Sequence, residues 1–261
     1  MASLDGRTAL ITGSTSGIGL GIARALAAEG ASIVLNGFGT DDSIEAAQKE
    51  IATFGVDVSY DSTDLRDVDA IEAMVARAEA RTGVIDVLVN NAGIQHVSPI
   101  EHFGVDRWND VIAVNMSSSF HTIRCALPAM KTAGWGRIIN VASAHGLVAS
   151  VEKAAYVTAK HGVLGLTKVV ALETATTAIT CNAICPGWVL TPLVEAQIET
   201  RAADEGISYD DAKAALLGAK QPSHEFVQIA DIGALTVFLC SDAAVQVRGA
   251  AWNIDGGWTA Q

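Results

Sequence analysis

An apolar run, Thr8-Ala9-Leu10-Ile11, passes directly into Thr12-Gly13-Ser14-Thr15-Ser16-Gly17-Ile18-Gly19 and then into a helical pattern reaching about Glu29. This strand, glycine loop and helix restrict the fold more than any other feature of the chain. A strand that is apolar throughout needs cover on both faces, as in a parallel sheet held between helix layers. The remaining sequence repeats the theme. Strands are expected at Ser32–Asn36, Val56–Tyr60, Val87–Asn90, Arg137–Val141, Ile179–Cys185 and Ala251–Ile254. Helices are expected near Asp41–Phe54, Asp67–Arg81 and Asp106–Lys131, across Tyr156 and Lys160, and near Ile229–Leu239. The alternation predicts an α/β fold, a parallel sheet of about seven strands flanked by helices. No repeat, low-complexity tract or linker divides residues 1–261, so one domain is expected.

The polar stretch from Thr191 to Pro222 stands outside this alternation. It holds acids and alanines at helical spacing, Val194-Glu195-Ala196-Gln197-Ile198-Glu199, and a break at Gly206. Because it follows Pro186-Gly187 at the C-terminal end of a strand, residues 191–222 are expected to form a small helical lid over a binding site.

With 50% hydrophobic and 18% charged residues, the chain is globular. No apolar run approaches the ~20 residues that span a bilayer, so no membrane partner is expected. Met1 to Gly6 lacks the basic and apolar regions of a secretory signal. Cys125, Cys181, Cys185 and Cys240 lie singly in apolar surroundings. They read as buried thiols of a reducing, cytoplasmic compartment, with no metal site. A net charge of −12 excludes the basic face that nucleic acid needs. An anionic substrate would have to be attracted locally.

The loop Gly13–Gly19 fits a dinucleotide. Its glycines let the backbone turn tightly and approach a pyrophosphate, and the helix behind it offers free N–H groups and a positive dipole end. The spacing is G-x3-G-x-G rather than G-x-G-x-x-G. The end of the second strand selects the nucleotide, an acid there favouring ribose hydroxyls and an Arg or Lys a 2′-phosphate. This chain has Leu35-Asn36-Gly37-Phe38-Gly39, with no cation between Asn36 and Asp42. NAD is therefore expected rather than NADP, with Asn36 reaching ribose. Phe38 either crowds the space of a phosphate or is a plain loop hydrophobe. Asp64-Leu65 follows the third strand, where adenine would lie; Asp64 serves there or as the N-cap of the next helix. The small residues of Asn90-Asn91-Ala92-Gly93 let the chain pass close to a cofactor.

Tyr156 and Lys160 are four apart on one expected helix, with Cβ atoms roughly 6 Å apart. A phenol of pKa about 10 is a poor base at neutral pH. A nearby ammonium should lower that value, and the hydroxyl of Ser143 should steady the oxygen that exchanges the proton. This is the arrangement of a carbonyl/alcohol proton-transfer site, which requires a hydride carrier beside it.

Together Thr12–Gly19, Asn90–Gly93, Asn115, Ser143, Tyr156–Lys160 and Pro186-Gly187 resemble the classical short-chain dehydrogenase/reductase family over nearly the whole chain. The resemblance implies a single-domain Rossmann fold, a tetramer, and a catalytic tetrad of Asn115, Ser143, Tyr156 and Lys160. It implies Tyr156 as general acid/base, Ser143 on the substrate oxygen, Lys160 on Tyr156 and the nicotinamide ribose, and Asn115 supporting a water that links Lys160 to solvent. Gly13, Thr15, Ser16, Gly17, Ile18, Gly19, Asn91, Ala92 and Gly93 would hold the cofactor, and Pro186, Gly187, Val189 and Thr191 the nicotinamide end. Asn36 departs from the acid common in NAD-using members.

Within the family the chain is most similar to the branch acting on (R)-3-hydroxybutyrate. Asn91–His96, Ala142–Val148, Cys185–Val189 and Asp255–Thr259 carry that similarity. It implies that Gln95, His145, Lys153 and Gln197 bind the substrate carboxylate, and that Trp188 and Trp258 shape the pocket for its methyl end. The residues agree: a Lys, a His and amides at the C-terminal edge of a parallel sheet suit a small carboxylate. The expected reaction interconverts (R)-3-hydroxybutyrate and acetoacetate, a step of ketone body metabolism. A 3-oxoacyl-thioester reductase using NADPH would want a phosphate-binding cation and a basic docking face. A nucleotide sensor without turnover would want Tyr156 or Lys160 lost. Neither pattern is found.

Overall fold

The computed structural model describes residues 4–260. Met1 to Ser3, half of the segment on which the lack of a secretory signal rests, and Gln261 lie outside the described residues. Among the described residues, seven strands form one parallel sheet in the order β3-β2-β1-β4-β5-β6-β7. They are β1 Thr8–Ile11, β2 Ser32–Asn36, β3 Val58–Asp61, β4 Val87–Asn90, β5 Gly136–Val141, β6 Ile179–Pro186 and β7 Ala251–Ile254. The connecting helices are α1 Gly17–Ala28, α2 Asp41–Ala52, α3 Val68–Thr82, α4 Val105–Ile112, α5 Ser118–Ala133, α6 Ala154–Glu173, α7 Pro192–Glu205, α8 Tyr209–Gly218 and α9 Ile229–Cys240.

Alternate strand residues feed two separate cores. Ala9, Ile11, Ile33, Leu35, Val87 and Val89 face Leu26 of α1, Ile51 of α2 and Ile232 of α9. Leu10, Val34, Leu88 and Ile138 face Met74 of α3, Ile123 of α5 and Val170 of α6. This period of two, with both faces dry, is why the strands read as unbroken apolar runs. The strand order reverses between β1 and β4, which opens a crevice beyond their C-terminal ends.

A buried polar ladder crosses the second layer. Thr122 donates to Asn90 at 2.7 Å, Asn90 to Asn140 at 2.9 Å, and Asn140 to Thr167 at 2.9 Å. Four elements (α5, β4, β5 and α6) are thereby fixed in register without an unpaired amide.

Two sequence expectations need correction. The single helix Asp106–Lys131 is α4 and α5 joined by one turn of π-helix, Ala113–Ser117. Such a turn has no periodicity of its own, and it marks functional sites often enough to matter here. The N-cap role for Asp64 is also wrong. Asp67 caps α3, accepting from Ala70 N–H at 3.1 Å.

Candidate active site

A cleft of about 530 Å³ runs along the C-terminal edge of the sheet, under α7. All sequence-predicted site residues line it except Gly19 and Asn115. Gly19 lies just behind. A Cβ there would stand 2.3 Å from the Gly13 carbonyl oxygen, so only glycine lets α1 close on the loop. Gly13 has φ +63°, and its Cβ would stand 2.8 Å from Ala92 Cα. Asn91 clamps the same loop, donating to the carbonyls of Thr12 and Gly13, both at 2.9 Å. Ser16, the N-cap of α1, makes no side-chain capping bond. Glycine-lined and uncapped, this helix end fits the pyrophosphate of a dinucleotide.

Asn36 differs from expectation. Its amide donates to the carbonyls of Asp61 at 3.1 Å and Thr63 at 3.0 Å. With both donors engaged, Asn36 ties the loops after β2 and β3 together rather than reaching for ribose. Phe38 is 66% exposed on the rim, and its carbonyl accepts from Thr15 Oγ1 at 2.7 Å. Asp64 is held by Arg66, which keeps its carboxyl below the usual range. Arg66 also lies 3.6 Å from Asp110. Arg66, Arg107 and Asp110 line this end of the cleft and were missed from sequence. Nothing in their local pattern marks them, because α4 brings Arg107 and Asp110 across from another part of the chain.

At the centre, β5 ends at Val141 and delivers Ser143, while α6 presents Tyr156 and Lys160. Ser143 Oγ accepts from His145 N–H at 3.1 Å and is hydrogen-bonded to the Tyr156 phenol. Lys160 Nζ donates to the Val141 carbonyl at 2.7 Å and lies 5.7 Å from the Tyr156 ring centroid. Burial lowers the Lys160 pKa to about 8. Burial also raises the Tyr156 phenol above its ordinary value, against the opposing pull of the Ser143 hydrogen bond. The expected depression by Lys160 is therefore absent: the ammonium is aimed at a carbonyl and is itself disfavoured by its dry surroundings. Asn115, 2% exposed in the π-turn, touches neither Tyr156 nor Ser143 by hydrogen bond. It binds both backbone groups of Ile94, on the loop between Gly93 and Gln95.

Beyond Ser143 lies an aromatic and cationic pocket. The Trp188 and Trp258 rings are 5.6 Å apart, and His145 stands edge-on to Trp258 at 5.0 Å and to Tyr156 at 5.9 Å. Burial, then Lys153, lowers His145 to about 4, so the ring is neutral and shares a 2.8 Å hydrogen bond with Ser150. Lys153 sits 5.0 Å over the Trp188 ring, its pKa lowered to about 8 by burial and then by Lys220. Among the described residues it has no acidic partner. The Gln95 Nε2 atom is buried and unpaired. Gln197 on α7 donates to its own helix, to Leu193, at 3.2 Å. Gln221, also missed from sequence, is buried behind Trp188.

A Rossmann sheet with this helix end beside a Ser–Tyr–Lys group defines a class, the oxidoreductases that use a nicotinamide dinucleotide. The family model described as short chain dehydrogenase matches residues 7–202. The chain belongs to the short-chain dehydrogenase family. It is 60% identical over 260 residues to D-beta-hydroxybutyrate dehydrogenase of Cupriavidus necator, covering 99% of this chain and 100% of that one. It is 52% identical over 256 residues to the enzyme of the same name from Rhizobium meliloti, covering 98% and 99%. Among solved structures, a single-substitution variant of actinorhodin polyketide ketoreductase with NADPH superposes with a TM-score of 0.91 at 37% identity, covering 99% of both chains.

Proposed function

We propose that this chain is an NAD-dependent dehydrogenase interconverting (R)-3-hydroxybutyrate and acetoacetate. One observation carries the substrate: Lys153, a cation without an acidic partner among the described residues, lies over the Trp188 ring and near enough to lower the His145 pKa, in the cleft that Gln95, Ser143 and Tyr156 also line. A carboxylate held there would place a carbon two bonds away at the phenol, with Trp188 and Trp258 closing on a methyl group. The nicotinamide, when bound, accepts or supplies the hydride. Tyr156 takes the hydroxyl proton in oxidation and returns it in reduction, and Ser143 hydrogen-bonds the same oxygen. Lys153, Gln95, His145 and Gln197 orient the acid, which fixes the face of the carbon presented to the nucleotide.

The preference for NAD over NADP is supported at the end of β2. Burial, then the nearby carboxylates of Asp61 and Asp41, raise the Tyr60 phenol, whose hydroxyl donates to the Gly37 carbonyl at 2.8 Å. Asp61 is itself paired with Arg77 at 2.7 Å, so the preference rests on the lack of any Lys or Arg between Asn36 and Asp42 to hold a 2′-phosphate. Residues 191–222, as α7 and α8, act as a lid that closes on substrate. Free thiols at Cys181, Cys185 and Cys240, all buried, suit a cytoplasmic site of action. The exposed Val169 and Leu172 of α6 and Phe120 of α5 support assembly, as a homotetramer. Among the described residues no helix is long and apolar enough to cross a membrane.

A substrate panel followed at the NADH absorbance band tests the reading. (R)-3-hydroxybutyrate with NAD+ should exceed the S enantiomer, 3-hydroxyacyl thioesters and all pairings with NADP+. A preference for a thioester with NADP+ would replace the proposal with the ketoreductase alternative.

A further inference from the structure

Gln221 does not line the cleft, yet it bonds the backbone of Trp188 and packs against Gly187 and Gly256. It follows α8 and is 1% exposed. Its Oε1 accepts from the Trp188 N–H at 2.7 Å, and its Nε2 donates to the Glu225 carbonyl. The Trp188 carbonyl in turn accepts from Val227 N–H at 2.9 Å. Trp188 is therefore pinned through both backbone groups, one of them by a single side chain.

Two glycines make room for that side chain. A Cβ on Gly187 would stand 2.5 Å from Gln221 Oε1, and one on Gly256 2.7 Å from Gln221 Cγ. The Gly256 turn leads into Trp258, and Ser223 N–H donates to the Gly256 carbonyl at 3.0 Å. Asp255 holds the same turn, accepting from the N–H groups of Gly257 and Thr259, both at 3.0 Å. Gln221 thus joins three things: the end of the lid, the turn carrying Trp188 and the turn carrying Trp258. Those indoles meet at the pocket end, their planes tilted by 31°.

We infer that Gln221 is a positioning residue that fixes the spacing of Trp188 and Trp258, and through it the length of hydroxy acid the pocket accepts. The inference rests on the proposed hydroxybutyrate reading for its substrate, but the hydrogen bond to Trp188 stands independently. It predicts that the wall, not the carboxylate contacts, separates four-carbon from five-carbon acids. One methylene in a rigid apolar pocket is worth about 10- to 200-fold in selectivity. A wall whose backbone anchor is lost gives up part of that factor.

The test is Gln221→Met, which keeps the volume and removes both hydrogen bonds. The preference for 3-hydroxybutyrate over 3-hydroxypentanoate should narrow at least about fivefold, with KM raised and kcat and NADH affinity within about twofold. Gln221→Asn, too short to reach Trp188 and Glu225 together, should move selectivity the same way and serves if the Met variant does not fold. In the wild-type chain, hydrogen exchange should show the Trp188 amide slow, as its buried bond demands. An unaltered chain-length preference in either folded variant would overturn the inference, as would fast exchange at Trp188. A general loss of NADH binding in step with the melting temperature would overturn it too. If the wild type failed to oxidise hydroxybutyrate, the functional reading would fall while the exchange measurement still judged the Gln221 contact.

Discussion

Asn115 grips Ile94 by both of its backbone groups. Asn115 Oδ1 accepts from the Ile94 N–H at 2.8 Å, and Nδ2 donates to the Ile94 carbonyl at 2.9 Å. The π-turn Ala113–Ser117 inserts the extra residue that aims Asn115 out of the helix toward that loop. The contact fixes the loop between Gly93 and Gln95, both of which line the cleft.

Replacing Asn115 by Ala should leave two part-buried backbone groups unpaired. Each such loss costs about 1–3 kcal/mol. The expected result is a lower midpoint in urea, a raised KM for the hydroxy acid and a reduced kcat. A variant with wild-type stability and kinetics would mean that the Ile94 loop holds itself.

The raised phenol of Tyr156 sets the sign of the pH dependence. Oxidation needs the phenolate as proton acceptor, and reduction needs the phenol as donor. Because burial favours the protonated form, the oxidation rate should climb with pH across about pH 7 to 10, while the reduction rate stays level until pH passes the raised phenol value. Ser143→Ala removes the hydrogen bond that opposes the shift, so its oxidation limb should move to higher pH. Tyr156→Phe should lose about 10²–10⁴-fold in kcat, the usual worth of general acid–base catalysis, with NADH binding retained by fluorescence titration. Near-wild-type turnover in Tyr156→Phe would remove the phenol from the reaction.

Lys153 makes a different and separable prediction. Its pKa of about 8 means that the charge is present below pH 8 and lost above it. The KM for a carboxylate substrate should therefore rise as pH passes about 8, while the cofactor KM stays flat. A bound carboxylate draws the lysine pKa back up, so binding near pH ~9 should take up a proton. Lys153→Arg, charged throughout, should abolish the rise in KM. Lys153→Met should raise KM about 100-fold at about pH 7 and also raise stability by about 1 kcal/mol. A half-buried charge without a counter-ion is costly, and the cation–π contact with Trp188 offsets only part of that cost. A KM independent of pH across the neutral-to-alkaline range in the wild type would separate Lys153 from the carboxylate.

How far these residues could be read in the sequence depended on how local their signal was. β2 and β4 fall at their expected limits because dry strands are apolar on both faces, and β7, half exposed at the sheet edge, also falls at its expected limits. Tyr156 and Lys160 share a helix, and Gly13 to Gly19 share a loop, so spacing alone brings them together. The π-turn at Asn115 was invisible because one inserted residue leaves the surrounding helical pattern intact. Gln221 was invisible for another reason: its partners Trp188, Glu225 and Gly256 meet only when α8, β6 and the C-terminal turn assemble. The state of Tyr156 was misread because a sequence shows charge but not dryness, and here dryness outweighs the neighbouring ammonium.

Asn36 tests the same lesson on the cofactor side. An acid at the end of β2 normally suits NAD, since a carboxylate accepts from both ribose hydroxyls. By that rule Asn36→Asp should tighten NAD+ binding. The structure predicts the reverse. The Asn36 amide donates to two carbonyls, those of Asp61 and Thr63, and a carboxylate can donate to neither. Three acceptors would then converge in a site only 1% exposed, beside the Asp61 side chain. A buried acceptor without a donor costs about 1–3 kcal/mol, and more when charged. Asn36→Asp should lower the melting temperature and weaken NAD+ binding severalfold at neutral pH. Both defects should lessen toward acidic pH, where protonation of the new carboxyl restores one donor. Tighter NAD+ binding with unchanged stability would show that the loops after β2 and β3 do not depend on this amide.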